Sequence, residues 1–172
     1  MVLRRILIAL VATAPVFCAG CDWTPLYASR ETGPADAELR AIKVAPISER
    51  IGQRLEIALR DTLNPAGIPT PVRYELKTTL AVQRSDLGIQ SQGLATRGQV
   101  DVTATYSLSD IATKATLLRN TIHVADSFDI LANGYATVVT EEDARVRTVQ
   151  ELRDEIAARL TMFMQRRHAA GG

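Results

Sequence analysis

Strict alternation of apolar and polar residues in two long stretches places the strongest constraint on how this chain folds. The even-numbered residues of 72–82 are apolar apart from one Thr, and those of 100–108 are all apolar. Successive side chains of a β-strand point to opposite faces, so this period of two predicts two half-buried strands. Residues 116–130 predict a third strand, with a change of phase at residues 125–127 that indicates a β-bulge. Three Gly and few apolar residues in 83–99 predict a long hairpin with a mobile tip.

Two other segments have the spacing of amphipathic α-helices. The apolar residues of 48–63 and of 144–167 recur at intervals of three and four, which predicts a helix in each segment. Three acidic residues at 141–143 lie where the helix dipole favours them, so we expect the second helix to begin there. The apolar stripe of the second helix consists of Val149, Leu152, Ile156, Leu160, Phe163 and Met164.

Together with a short alternating strand at residues 39–47, these segments give the element order β-α-β-β-β-α. Each helix has one apolar face, and each long strand has one. The sequence therefore predicts an α+β fold with a single domain, in which two helices pack on one face of a four-stranded mixed sheet.

The first twenty residues have the features of an export signal. Arg4 and Arg5 precede the apolar run 6–14, which is too short to span a bilayer, since spanning takes roughly 20 residues. After the run comes Cys-Ala-Gly-Cys21, which resembles a bacterial lipobox and predicts that Cys21 carries the lipid. Cleavage without lipidation is one alternative. A redox or zinc C-x-x-C pair is another, but the sequence has no further Cys to complete a zinc site.

These features divide the chain into four parts. We predict a lipoprotein signal peptide at residues 1–20 and a lipidated Cys with a linker at 21–38. The α+β domain follows at 39–168, and a disordered tail at 169–172.

Composition and motifs exclude several classes of function. A formal net charge of +1 over 172 residues does not favour long-range attraction to nucleic acid. The sequence lacks the common motifs of hydrolases, nucleotide-binding proteins and zinc proteases. Its two His are His123, on the polar side of a predicted strand, and His168, at a helix end. We expect no enzymatic activity, no cofactor, no metal site and no nucleic-acid partner.

Several motifs resemble the LptE family of lipopolysaccharide-assembly lipoproteins. Cys21-Asp-Trp-Thr-Pro-Leu-Tyr27 resembles the beginning of its members. Residues 128–136 and the apolar helix after them are similar to the family's ending, and the element order also agrees. The resemblance implies an outer-membrane lipoprotein on the periplasmic side, held in the membrane by acyl groups such as palmitate. It also implies that the protein plugs and helps assemble the LptD β-barrel and binds lipopolysaccharide during its transport to the cell surface. The alternative is a periplasmic auxiliary lipoprotein of a lipid-transporting ABC system.

Five cations are candidate contacts for lipopolysaccharide, on grounds of chemistry alone. Lipid A carries phosphates, and Arg binds phosphate in bidentate geometry. The cations on strands or beside the predicted hairpin are Arg73, Lys77, Arg84, Arg97 and Arg119. The alternative is that they are solvated charges that balance Glu75, Asp86 and Asp101.

Overall fold

The computed structural model of the chain describes residues 34–89 and 95–171. The elements in chain order are α1 (Pro34–Arg40), β1 (Ile42–Val44), α2 (Arg50–Leu63), β2 (Tyr74–Ile89), β3 (Ala95–Asp110), β4 (Thr116–Asp129) and α3 (Gly134–Gly171). Cys21 and the predicted signal peptide lie outside the described residues, as does the hairpin tip at 90–94.

The four strands form one mixed sheet in the order β1-β2-β3-β4. β1 runs parallel to β2, and the other two pairs are antiparallel. The predicted α+β class and the four-stranded mixed sheet are therefore confirmed. The structure adds a third helix, α1, which begins with Pro34. Its fixed φ suits the first helical position.

The core lies between the helices and the even-numbered side chains of the three long strands. Leu55 and Leu59 of α2 and Ile156 of α3 are fully buried there, against Tyr106 and Leu108 of β3. Burying a side chain of this size stabilises the fold by roughly 1.5–3 kcal/mol relative to leaving it exposed. The alternating pattern therefore determines which face of the sheet the helices cover.

The long hairpin predicted for residues 83–99 is present, and its two arms are paired strands. β2 and β3 stay paired from Tyr74↔Asp110 to Ile89↔Ala95. Gly98 allows this because it lies directly opposite Phe128 of β4, whose ring fills the space above it. Gly98 therefore makes room for a packed side chain within the sheet.

The irregularity of the sheet lies away from its predicted position. Pairing is continuous at residues 125–127, and the register shifts between Leu108 and Ser109 instead. The apparent change of phase arose because Asp126 occupies an inward position. There it accepts a hydrogen bond from Arg147 Nε of α3 at 2.7 Å, which a strand pattern alone does not reveal.

α3 also differs from the prediction at both ends. It begins at Gly134, where Asn133 Oδ1 accepts a hydrogen bond from the Tyr135 N–H at 3.0 Å. Asn133 thus acts as an N-cap, and the acids at 141–143 lie about two turns or more inside the helix. At the other end the helix continues to Gly171, so residues 169–171, expected in the tail, are helical.

Candidate functional site

The sheet face opposite the helices is polar and forms the best candidate site. We call it the open face and define it as the odd-numbered residues of β2, β3 and β4. Its centre is a row of Thr hydroxyls. Thr79 donates a hydrogen bond to the Thr105 carbonyl at 3.3 Å, and Thr105 Oγ1 lies 3.2 Å from Thr121 Oγ1. None of the described helices packs on this face, so the hydroxyls are available to a polar surface.

Two of the five predicted cations share one row of the open face. Lys77 is the register partner of Ser107, which is in turn the partner of Arg119. Neighbouring strands lie about 4.8 Å apart, so the two cations flank the Ser hydroxyl at a separation of about 10 Å. The Lys77 side chain is 63% exposed and lies 3.2 Å from Glu75. Arg119 is exposed and forms no ion pair with another described residue. The long side chains of this pair can converge on one phosphate group.

The third cation of the open face lies far from this pair. Arg97 occupies a row with Leu87 and Asp129 beside the undescribed hairpin tip. Ten residues separate it from Ser107 along β3, which is roughly 33 Å at the rise of a strand. Arg97 therefore cannot contact the same phosphate group as Lys77 and Arg119.

The remaining two predicted cations are engaged in holding the domain together. Arg84 has an even number, so it points to the helix side, where it contacts Asp86 at 3.0 Å and Glu141 of α3 at 3.2 Å. Its guanidinium also lies 5.4 Å from the centre of the Phe128 ring. Arg73, before β2, pairs with Glu38 of α1 at 3.1 Å.

The acidic residues of α3 take part in the same structural network. Glu141 accepts a second hydrogen bond from Arg145, and Glu142 pairs with Arg54 of α2. Hydrogen bonding to Asp126, followed by its negative charge, raises the pKa of Arg147. These contacts fix residues 141–147 of α3 against the sheet and α2.

A groove lies at the outer edge of β2, beyond the end of the short β1. It has a volume of about 340 Å³ and is lined by residues 45–49 and 77–80. Thr78 is only 7% exposed there, and its hydroxyl has no hydrogen-bond partner among the described residues.

An exposed apolar stripe at the beginning of α3 was not among the predicted sites. Its members are Leu131, Tyr135, Val138, Val139 and Val146. Their helical spacing was present in the sequence, but the predicted helix began after most of them. Contiguous exposed apolar surface marks sites of interaction with other molecules.

The described residues contain no group of three or more His, Cys, Asp or Glu that could hold a metal ion. His123 lies on the open face, 3.4 Å from Asp101. No helix within 34–89 or 95–171 is long and apolar enough to cross a membrane.

Comparison with known proteins identifies what the chain resembles. The LptE family model, described as lipopolysaccharide-assembly, matches residues 39–162. No curated protein matches the sequence.

Three solved structures have a similar fold. A lipoprotein from Caulobacter crescentus CB15 is 20% identical with a TM-score of 0.63, over 76% of this chain and 96% of that one. A minor lipoprotein from Acinetobacter baumannii is 16% identical with a TM-score of 0.57, over 72% and 92% of the two chains. Lipoprotein B from Nitrosomonas europaea is 15% identical with a TM-score of 0.55, over 72% and 82%.

Proposed function

This chain belongs to the LptE lipopolysaccharide-assembly family, and we propose that it plugs and helps assemble the LptD β-barrel and binds lipopolysaccharide during delivery to the cell surface. The observation that supports the proposal is the family match, which covers the whole sheet, α2, and α3 as far as residue 162. The family is not enzymatic, in agreement with the expectation from the sequence.

The first part of the proposal is a lipid anchor on Cys21 that holds the protein at the periplasmic side of the outer membrane. The lipobox-like Cys-Ala-Gly-Cys21 supports it. So do the names of the three similar structures, all lipoproteins. Metabolic labelling with palmitate should mark the parent and a Cys18→Ala control, whereas Cys21→Ala should lose the label. A label that survives Cys21→Ala would contradict the anchor.

The second part is the barrel partner. Barrel interiors are polar, and the open face offers Thr hydroxyls that can hydrogen-bond to such a wall. The apolar stripe of α3 supports an additional contact with protein. Affinity purification from outer membranes should recover a large β-barrel together with this protein. Recovery of an inner-membrane ABC transporter instead would favour the alternative function.

The third part is lipopolysaccharide binding through Lys77, Arg119 and Arg97. The Lys77–Ser107–Arg119 row offers two cations and a hydroxyl to one phosphate, and charged hydrogen bonds of this kind are the strong ones. Lys77 pairs with Glu75 within β2, whereas Arg84 and Arg73 form ion pairs with Glu141 of α3 and Glu38 of α1. Because these two pairs hold helices in place, we assign Arg84 and Arg73 a structural role.

Neutralising the cation row tests this assignment. Lys77→Gln combined with Arg119→Gln should weaken lipopolysaccharide binding about tenfold for each charge removed, and the loss should shrink at high salt. Binding is measured on the immobilised parent and variants at two salt concentrations. The matched control is Arg50→Gln with Arg153→Gln, which removes the same charge elsewhere. Equal binding by the row variant and the parent would rule out the row as the phosphate site.

A further inference from the structure

One end of the domain gathers the start of the described chain and several loops. We call it the base and define it as the loop 64–73, the β3–β4 turn 111–115 and the last turns of α3 from residue 159. Two backbone hydrogen bonds, each 3.0 Å long, join its parts: the Arg73 N–H donates to the Ala41 carbonyl, and the Ile111 N–H donates to the Arg73 carbonyl.

α1 and α3 meet at this same end. Glu38 of α1 lies 3.3 Å from His168 of α3 and 3.1 Å from Arg73. The Arg167 guanidinium lies 5.7 Å from the centre of the Tyr74 ring, at the start of β2. α1, where the described chain begins, therefore lies beside the base.

The loop of the base exposes an apolar tip. Ile68 is 83% exposed, the largest exposed fraction among the large hydrophobic residues of the described chain. The loop around it, residues 64–72, has no charged residue and three Pro. A single exposed apolar residue is ordinary on a protein surface, so its surroundings decide what it means.

Several cations lie at the same end of the domain as this tip. After Glu155, α3 carries Arg159, Arg166 and Arg167 and no acid. Arg166 and Arg167 are exposed, as is Lys114 in the β3–β4 turn. The base itself contains no acid. Beside it, Glu38 pairs with Arg73, and Asp110 Oδ1 accepts hydrogen bonds from the N–H groups of residues 112 and 113.

The reach of the tether favours the base over the hairpin end. Twelve residues, 22–33, separate Cys21 from α1, and an extended chain of that length spans at most about 43 Å. α3 has 38 residues and is therefore about 57 Å long. An anchor on Cys21 thus holds the base close to the bilayer, whereas the hairpin end can lie beyond its reach.

We propose that the base is a membrane-contact surface for an anionic phospholipid bilayer. Ile68 enters the headgroup region, and Arg166, Arg167 and Lys114 pair with lipid phosphates. The inference rests on the proposed acyl anchor and goes beyond it: the anchor keeps the protein at the membrane, and the base sets the orientation of the domain. An apolar side chain beside several cations is the combination that interfacial binding uses.

A fluorescent label at residue 68 tests the contact directly. Acylated Cys21 has no free thiol, so Ile68→Cys gives the mature lipidated protein one labelling site for an environment-sensitive dye. The protein is reconstituted on phosphatidylcholine vesicles with or without phosphatidylglycerol. Emission should shift to the blue, and nitroxide lipids should quench it, on vesicles that contain phosphatidylglycerol. The matched control is Val138→Cys, which is also exposed but lies at the opposite end of the domain. The emission of a dye at this position should remain that of a label in water.

A second pair of variants tests the charges. Arg166→Gln with Lys114→Asn should lower the ratio of membrane-inserted to free label roughly fivefold for each cation removed. Asn suits residue 114, where φ is 58°, since Asn tolerates this left-handed conformation. Arg50→Gln with Arg153→Gln removes two charges outside the base and should leave the ratio unchanged.

The outcomes separate this inference from the anchor. In one outcome the protein stays on the vesicles, but the label at residue 68 still emits as it does in water. This outcome would contradict the membrane contact and would agree with the acyl anchor. Loss of the protein from both kinds of vesicle would overturn the anchor and this inference together. A blue shift that needs no vesicles and grows with protein concentration would assign the base to contact between two copies, against the proposal.

Discussion

At the scale of single residues, Gly98 shows how the hairpin depends on a missing side chain. A Cβ at this position would meet the ring of Phe128 well inside van der Waals contact, and that ring is buried beneath Arg84. We therefore expect Gly98→Ala to lower the free energy of unfolding by about 1–3 kcal/mol, the usual effect of overpacking. Urea unfolding followed by circular dichroism measures the change.

Gly134 provides the matched control for this experiment. It is the first residue of α3, and a Cβ there meets no atom within 4 Å. Gly134→Ala should be neutral or stabilise the protein by up to about 1 kcal/mol, because Ala restricts the unfolded chain more than Gly does. If both variants unfold at the parent's urea concentration, the Phe128 ring is free to move and the packing argument is wrong.

At the scale of the elements, α3 provides most of the helical side of the core. Ile156 is fully buried in it. Ile156→Leu conserves volume and should change the free energy of unfolding by less than about 1.5 kcal/mol. Ile156→Asp places a charge among apolar side chains and should unfold the domain or sharply lower its abundance. Thermal melting of the variants is the measurement, with the exposed Ala158→Asp as the control for adding an acid to the same helix. An unchanged melting temperature for Ile156→Asp would show that the stripe is not buried.

The periodic spacing of apolar residues predicted which helices and strands form. Contacts between residues distant in the sequence determine where these elements begin and end. The stripe around Ile156 and the alternation of β2 and β3 each repeat often enough to be recognised without neighbours. The start of α3 depends on the side-chain oxygen of Asn133, and Asp126 depends on Arg147 from another element. The sequence likewise predicted five candidate cations without showing which of them lie together. Strand register brings Lys77 and Arg119 into one row, and a contact with α3 engages Arg84.

At the scale of the whole molecule, α3 runs the length of the domain and connects two different surfaces. The base carries cations around an apolar loop, and the other end carries the apolar stripe beside the acids 141–143. The open face extends between them along the sheet. A protein held at the base can therefore present the stripe and the hairpin to a partner away from its own attachment point.

This arrangement predicts where the barrel partner touches α3. A photo-crosslinking amino acid at Val138, which is 63% exposed, should capture the β-barrel in intact cells, because desolvation of the stripe favours contact there. The same amino acid at Ala158, exposed on the same helix but outside the stripe, should capture much less of it. Crosslinked products are compared by immunoblotting after denaturation. Equal capture at the two positions, or capture at Ala158 alone, would show that the stripe is not the contact and would leave the open face as the surface that meets the barrel wall.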